Sequence, residues 1–165
     1  MDPLDIIKDK IFDHERLVRQ LAVWRFLEKK IVFTNGCFDI LHRGHIEYLA
    51  KAAGYGDILI IGLNTDKSVS RLKGPSRPVQ DENARAFLMA SMHFVSAVTL
   101  FEEDTPYNLI RIVQPDVLVK GGDYKSEDIV GNDVVKARGG KVITIDFVKG
   151  YSTSGIIDKL CTPES

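Results

Sequence analysis

Short apolar runs alternate with longer amphipathic stretches along this chain, and the alternation predicts its elements. Ile31-Val32-Phe33 is a continuous apolar run, as expected of a strand buried on both faces. Asp57 to Leu63, containing Ile58-Leu59-Ile60-Ile61, reads as a second buried strand, and Ala97 to Leu100, Asp116 to Val119 and Lys141 to Ile145 as three more. Helical spacing fills the intervals. Gly44 to Ala53 turns Ile46, Leu49, Ala50 and Ala53 inward, with Gly54 as its stop. Asp66 to Leu72 is a short helical turn and Asp81 to Met92 a longer helix. Thr105-Pro106 opens another, with proline at its first position. Glu127 to Ala137 ends at Gly139-Gly140, and Thr153 to Leu160 closes the series. Lys73-Gly74-Pro75-Ser76-Arg77-Pro78 reads as a loop from its glycine and prolines. Ahead of the first strand, residues 11 to 29 carry an apolar stripe of Ile11, Leu17, Leu21, Trp24 and Leu27, which predicts one helix.

Five alternations of strand and helix imply parallel strands joined by right-handed crossovers. The expectation is an α/β, Rossmann-like three-layer sandwich with a five-stranded parallel sheet. An N-terminal helical extension over residues 1–30 would pack on a domain spanning 31–165. Such sheets bind ligands beyond the carboxyl ends of their strands, near the point where strand order reverses. Polar clusters follow four of the strands: Asn35-Gly36-Cys37-Phe38-Asp39, Asn64-Thr65-Asp66, Lys120-Gly121-Gly122-Asp123, and Lys149 to Ser154. All four therefore belong to one edge.

Composition narrows the function classes. A chain of 165 residues is about one domain. With 22 basic and 23 acidic residues the formal net charge is -1, so no global field draws it to nucleic acid or an anionic membrane. Any anion site must be local. Cys37 and Cys161 are the only cysteines, and such a widely spaced pair reads as free thiols in a reducing compartment. No basic segment followed by an apolar run opens the chain, and no apolar stretch approaches the ~20 residues that span a bilayer. The expectation is a cytoplasmic protein acting on small molecules, with neither nucleic-acid nor membrane partners.

The most informative cluster is His42-Arg43-Gly44-His45, at a predicted helix start. Helix N-termini offer free N–H groups and partial positive charge to an anion. Gly44 lets a phosphate approach the backbone, and imidazoles can hydrogen-bond phosphoryl oxygens as charge builds on them. Two other readings stand beside this one: a histidine pair three apart on a helix surface, or a zinc site with Cys37 that lacks a fourth ligand. Lys73 is either a solvated loop lysine or a phosphate contact. Arg77 has the same two readings, the solvated one first. Arg85, beside Ala84, Ala86 and Phe87, reads by itself as a surface ion-pair residue. The paired glycines after Lys120 free two N–H groups toward an anion. Asp123 could accept sugar hydroxyls, and Asp39 is a turn residue, an orienter of the histidine loop or a group acting near a metal. Ser152, Thr153 and Ser154 can cap the last helix, bind phosphate, or do both. His14 and His93 have no companions, and Trp24 reads as packing.

The run Thr34-Asn35-Gly36-Cys37-Phe38-Asp39-Ile40-Leu41-His42-Arg43-Gly44-His45 resembles the signature of the cytidylyltransferase-like nucleotidyltransferases, in which a glycine-aromatic-aspartate run precedes His-x-Gly-His. Asn64 to Gly74, Arg77-Pro78, Asn83-Ala84-Arg85, Val119 to Tyr124 and Gly150 to Ser154 extend the resemblance to the adenylyltransferases of the ADP-heptose branch. It covers roughly residues 31 to 160. It implies transfer of AMP from ATP to D-glycero-β-D-manno-heptose 1-phosphate, giving ADP-heptose and pyrophosphate for lipopolysaccharide core synthesis. It implies catalytic roles for His42, His45 and Lys73. Thr34, Asn35, Gly36, Cys37, Phe38 and Gly44 would hold the nucleotide and its phosphates from one side. Arg85, Lys120, Gly121, Ser152, Thr153 and Ser154 would hold them from the others. Asp39, Asn64, Asp66 and Asp123 would face the acceptor. Mg2+ would be bound mainly through the phosphates, without a dedicated protein ligand.

One departure stands out. The superfamily often has an arginine after the Ser/Thr pair, where this chain has Gly155-Ile156-Ile157, a substitution similar to that of the heptose branch. That branch is often fused to a sugar kinase, for which this length leaves no room, so the resemblance implies a stand-alone transferase served by a separate kinase. Homodimers are common among its members. Two rivals remain: a cytidylyltransferase using glycerol 3-phosphate or a similar acceptor, and a non-catalytic nucleotide-binding module.

Overall fold

A computed structural model of the chain describes residues 2–122 and 125–161. The first elements are α1 (Pro3–Asp9), β1 (Ile11–Phe12), α2 (His14–Phe26), β2 (Ile31–Gly36), α3 (Arg43–Ala53) and β3 (Ile58–Asn64). Then come α4 (Asp66–Lys73), α5 (Glu82–Ser91), β4 (Ala97–Phe101), α6 (Tyr107–Val113) and β5 (Val117–Gly121). A 3-10 turn (Ser126–Asp128), α7 (Asn132–Ala137), β6 (Lys141–Ile145) and α8 (Thr153–Cys161) complete the described chain. The strands form one parallel sheet in the order β1-β4-β3-β2-β5-β6.

Alternate residues of each strand feed opposite cores, as the two-residue period of a strand requires. Val32, Leu59, Ile61 and Val119 meet Tyr48, Leu49 and Ala52 of α3 and Met89 of α5 on one face. Phe33, Ile60 and Leu118 meet Leu17 and Leu21 of α2, Leu109, Ile110 and Val113 of α6, and Val135 of α7 on the other. The result is the three-layer α/β architecture that the strand–helix alternation predicts.

Three expectations need correction. The sheet has six strands rather than five, and residues 11 to 29 are not a single helix. Asp13 caps α2, its carboxylate accepting from Arg16 N at 2.7 Å. The two residues before it pair with β4, Ile11 opposite Val98 and Phe12 opposite Thr99. A two-residue strand is too short to show a period, so the sequence hides it inside a helical stripe. Trp24 packs against Phe12, ring centroids 6.1 Å apart. The helix expected over Glu127 to Ala137 is likewise divided. Gly131, at φ +87°, separates the 3-10 turn from α7.

Strand order reverses at β2: the chain runs outward through β3 and β4, then returns to place β5 on the other side of β2. Pairing of β2 with β5 covers only Val32–Val117 and Phe33–Leu118. Beyond Phe33 the two strands part, and the switch-point crevice opens at their carboxyl ends.

Candidate active site

Tyr48 marks the floor of the crevice. Its buried hydroxyl lies 2.7 Å from Thr34 Oγ1 on β2 and donates to the Val119 carbonyl on β5 at 3.2 Å. Burial pushes this phenol up to about 12, so it stays protonated and can donate. Above it β2 runs into the loop that leads to α3. His42 occupies the N-cap of α3 with extended backbone and makes no side-chain cap bond, and the first turn holds no acidic residue. The helix start thus carries neither a side-chain cap nor an acidic neighbour.

The His42 ring lies over Gly44, where an added Cβ would sit 3.0 Å from Nδ1. This requirement explains the glycine better than backbone freedom does. His42 stacks on His45 with ring centroids 3.8 Å apart and planes 21° from parallel. Both Nδ1 atoms are buried without a hydrogen-bond partner. Burial lowers the His42 pKa. Burial and then the neighbouring His42 bring His45 down to about 4, partly offset by the Ile40 carbonyl. At neutral pH both rings are uncharged. They are a stacked, half-buried pair rather than two histidines on an open helix surface. Among the described residues no three His, Cys, Asp or Glu side chains converge as metal ligands, and the Cys37 thiol faces Asn64 Oδ1 at 3.9 Å. Burial pushes that thiol up, against the pull of Lys73, Arg85 and Arg77.

Phe38 is buried at φ +45°. Its ring meets His45 edge-on, centroids 5.3 Å apart, and covers Gly36 so closely that a Cβ there would lie 2.9 Å from it.

Several side chains expected at the ligands turn inward instead. Asp39, 2% exposed, accepts from Arg77 Nε at 2.6 Å and from the Val79 and Gln80 amides at 2.8 and 2.9 Å. Burial works to raise its pKa, but the two amides and then Arg77 outweigh it and hold the carboxyl below the usual range. Arg77 is therefore an ion-pair residue, not a solvated one. Arg85 is wholly buried. It donates to the carbonyls of Cys37 (2.7 Å), Asn64 (2.9 Å) and Gln80 (3.0 Å) and to the Asp66 carboxylate (2.7 Å). It lies on the inward face of α5, where strand-end carbonyls need donors, and phosphate contact gives way to that demand. Asp66 is its counter-ion, Asn64 donates to Ser68 Oγ at 2.9 Å, and the Thr34 hydroxyl belongs to the Tyr48 network. Thr34, Asp39, Asn64, Asp66 and Arg85 thus all make side-chain contacts within the protein, with Asp66 remaining 38% exposed.

Across the crevice Lys120 Nζ donates to Asn35 Oδ1 at 3.4 Å. Burial lowers its pKa, and the charge of Lys73 adds to that. Lys73, exposed at the end of α4, is thereby near enough to act on both Lys120 and Cys37. Gly74 follows it at φ +101° with no atom near a would-be Cβ. The exposed Phe147 ring lies over Gly121, 2.7 Å from where its Cβ would be. Asp123 lies outside the described residues. Ser152 caps α8, its Oγ accepting from Gly155 N at 3.0 Å, while Thr153 Oγ1 donates to the Ile40 carbonyl at 3.4 Å. That second bond ties the start of α8 to the histidine loop. Ser154 is exposed.

Sequence reasoning passed over Tyr48, Arg43 and Tyr151. Arg43 pairs with Glu47 and lies over the Tyr151 ring, Cζ 5.6 Å from its centroid. Its place between the two histidines was the available signal. Tyr48, three residues beyond His45, has no polar spacing to mark it.

The cytidylyltransferase-like family model matches residues 33–159. A bifunctional protein HldE from Citrifermentans bemidjiense is 58% identical over 151 residues, 92% of this chain and 31% of that protein. Another from Methylobacillus flagellatus is 53% identical over 154 residues, 93% of this chain and 32% of that one. The chain therefore spans about a third of these relatives. A lipopolysaccharide core biosynthesis protein from Thermoplasma volcanium, solved by crystallography, has TM-score 0.60 at 31% identity, covering 75% of this chain and 99% of that one. A pantoate-beta-alanine ligase from Francisella tularensis, with TM-score 0.52 at 18% identity over 88% of this chain and 69% of that one, shares the fold.

Proposed function

The chain belongs to the cytidylyltransferase-like family, and from that premise we propose that it transfers AMP from ATP to D-glycero-β-D-manno-heptose 1-phosphate. The observation that carries the chemistry is the stacked His42–His45 pair, its two Nδ1 atoms unpartnered at an uncapped helix start. The heptose acceptor is supported by the sequence runs of that branch and by likeness to relatives named HldE and to a lipopolysaccharide core biosynthesis protein.

In this reading an oxygen of the sugar phosphate attacks the α-phosphorus of ATP in line. One P–O bond forms, and the bond from the α-phosphorus to the bridging oxygen breaks, its electron pair leaving on pyrophosphate. The nucleophile is already an anion, so no general base is needed. The protein positions the groups and stabilises charge. Each neutral ring offers its one N–H to a phosphoryl oxygen, His45 giving up the Ile40 carbonyl to do so, and the first-turn amides of α3 add theirs. Lys73 and Lys120 supply fixed positive charge from opposite sides of the crevice. Magnesium would arrive with ATP as part of the substrate and offset phosphate charge; Asp39 and Asp66, each paired with an arginine, are not assigned to it.

No helix of the described residues is long and apolar enough to cross a membrane. A reaction that consumes ATP belongs in the cytoplasm, with a sugar kinase upstream to make the acceptor. Pyrophosphate release tests the assignment, with ATP or CTP each paired with heptose 1-phosphate or glycerol 3-phosphate. The expected result is turnover with ATP and the heptose phosphate. Turnover only with CTP and glycerol 3-phosphate would move the chain to the cytidylyltransferases. ATP binding with no release from any acceptor would make it a binding module.

A further inference from the structure

Arg85 is the largest side chain that the described residues bury completely. Its four acceptors come from three places: Cys37 in the histidine loop, Asn64 and Asp66 at the β3–α4 junction, and Gln80 ahead of α5. Asp39 works with the opposite polarity on the same segment. It takes the amides of Val79 and Gln80 and the Arg77 guanidinium. Gln80 is therefore gripped at its N–H by Asp39 and at its C=O by Arg85.

Between Cys37 and Asp39 stands Phe38, a non-glycine residue at φ +45°. Bulky side chains adopt that conformation only when their surroundings impose it. Here the surroundings are visible. Arg85 holds the carbonyl on one side of Phe38, and Asp39, on the other, is anchored to residues 77–80. The ring so placed meets His45 edge-on, while His42 stacks on another part of the same imidazole.

We infer that Arg85 and Asp39 are positioning residues, a buried bracket that pins the chain on both sides of Phe38 so that its ring braces His45 against His42. The consequence for turnover rests on the nucleotidyl-transfer reading; the bracing of His45 does not. It joins the histidine loop to the segment that follows Lys73, so the two phosphate-facing walls keep one geometry. Arg85 serves the reaction without touching a phosphate.

Histidine titration by NMR on the full chain tests this independently of turnover. His42 is the titratable neighbour that bears on His45. In the wild type His45 titrates near the depressed value of about 4. Arg85→Lys offers one ammonium for four acceptors, and Asp39→Asn weakens the grip on residues 77–80. In both, the His45 midpoint is expected to rise by about one pH unit or more toward the ordinary imidazole value. A roughly ten- to hundredfold fall in kcat with little change in KM should accompany it. Phe38→Leu leaves the bracket intact and removes only the ring edge; the same rise is expected, and this variant decides the matter if neither bracket variant folds. A folded Arg85→Lys or Phe38→Leu protein whose His45 titrates as in the wild type would overturn the inference. Absence of pyrophosphate release with every acceptor would instead count against the reaction alone.

Discussion

His45 shows how much one residue's surroundings decide. A solvated histidine near pH 7 is partly charged, whereas this one is held neutral by burial and by the ring beside it. In the proposed reaction its value is that of an uncharged N–H donor in a half-buried crevice. Losing one preorganised donor of this kind typically costs ~3 kcal/mol, about a hundredfold in rate. His45→Ala is therefore expected to lower kcat at least that far, with its circular dichroism spectrum unchanged; near-normal turnover would remove it from the machinery. The depressed pKa also carries a stability signature. The unfolded chain takes up a proton on this imidazole near 6.5 and the folded chain only near 4, so stability falls as pH drops through that window. His42 acts in the same direction. Asp39 acts lower, since a depressed carboxyl loses its contribution only below its ordinary value of 3.8. Tm should thus decline from pH 6.5 toward 4.5, and the decline should be shallower in His45→Gln. An identical slope in both would show that His45 is solvated. The placing of Gly44, His42 and His45 together at a helix start was legible because a short motif fixes both residue type and spacing. The contacts of Arg85 and Asp39 within the protein were not legible, because they depend on burial. Nothing local distinguishes an arginine on a helix's inward face from one on its surface, apart from Ala84 and Ala86 beside it.

At the scale of elements, legibility followed length. β2 and β3 are runs of consecutive apolar residues, and their register is continuous from Ile31–Ile58 to Gly36–Leu63. Their ends therefore located the polar clusters correctly. β1 was lost because two residues cannot display a period, and the helix around it was merged for the same reason. The structure also makes more of that segment than an appendage. Leu17 and Leu21 are fully buried against Phe33, Ile60 and the α6 residues, so α2 forms part of a covering layer. Leu21→Ala should cost about 3 kcal/mol, a typical loss for a buried leucine. At this chain length that lowers Tm by roughly 10 °C. Unfolding should remain a single transition whether followed by Trp24 fluorescence or by far-ultraviolet circular dichroism. A separate early transition reported by Trp24 alone would make the N-terminal segment an independent unit. Across the sheet from the site, Arg25 donates to the Val113 carbonyl at the end of α6, and Arg138 to the Gln114 side chain beside it. These cations border a cavity of about 530 Å³ with Lys29, Lys30 and Lys141. Helix C-termini carry partial negative charge that Arg25 and Arg138 offset, and Glu28 and Asp116 line the same cavity.

The whole molecule is thus polar along its strands, although its formal net charge is only -1. Helix starts, loop glycines and the histidine pair gather at the carboxyl edge, and arginines at helix ends gather at the amino edge. Both proposed substrates are anions, so the overall field cannot be what captures them. Capture must come from charges fixed at the crevice, acting at short range where salt screens them less. Lys120 is the sharpest test of this, because burial already lowers its pKa and an arriving phosphate would relieve that cost. Lys120→Met should lower kcat/KM by at least tenfold, since a hydrogen bond to a charged group contributes roughly 1.5–3 kcal/mol. Lys29→Gln removes the same formal charge from the far edge and should leave kcat/KM within about twofold, as exposed pairs and isolated surface charges contribute little. Measured side by side at low and moderate salt, the two variants separate a local anion site from long-range steering. Equal losses in both, vanishing together as salt rises, would mean that the field of the whole protein does the capturing and that the crevice only completes the chemistry.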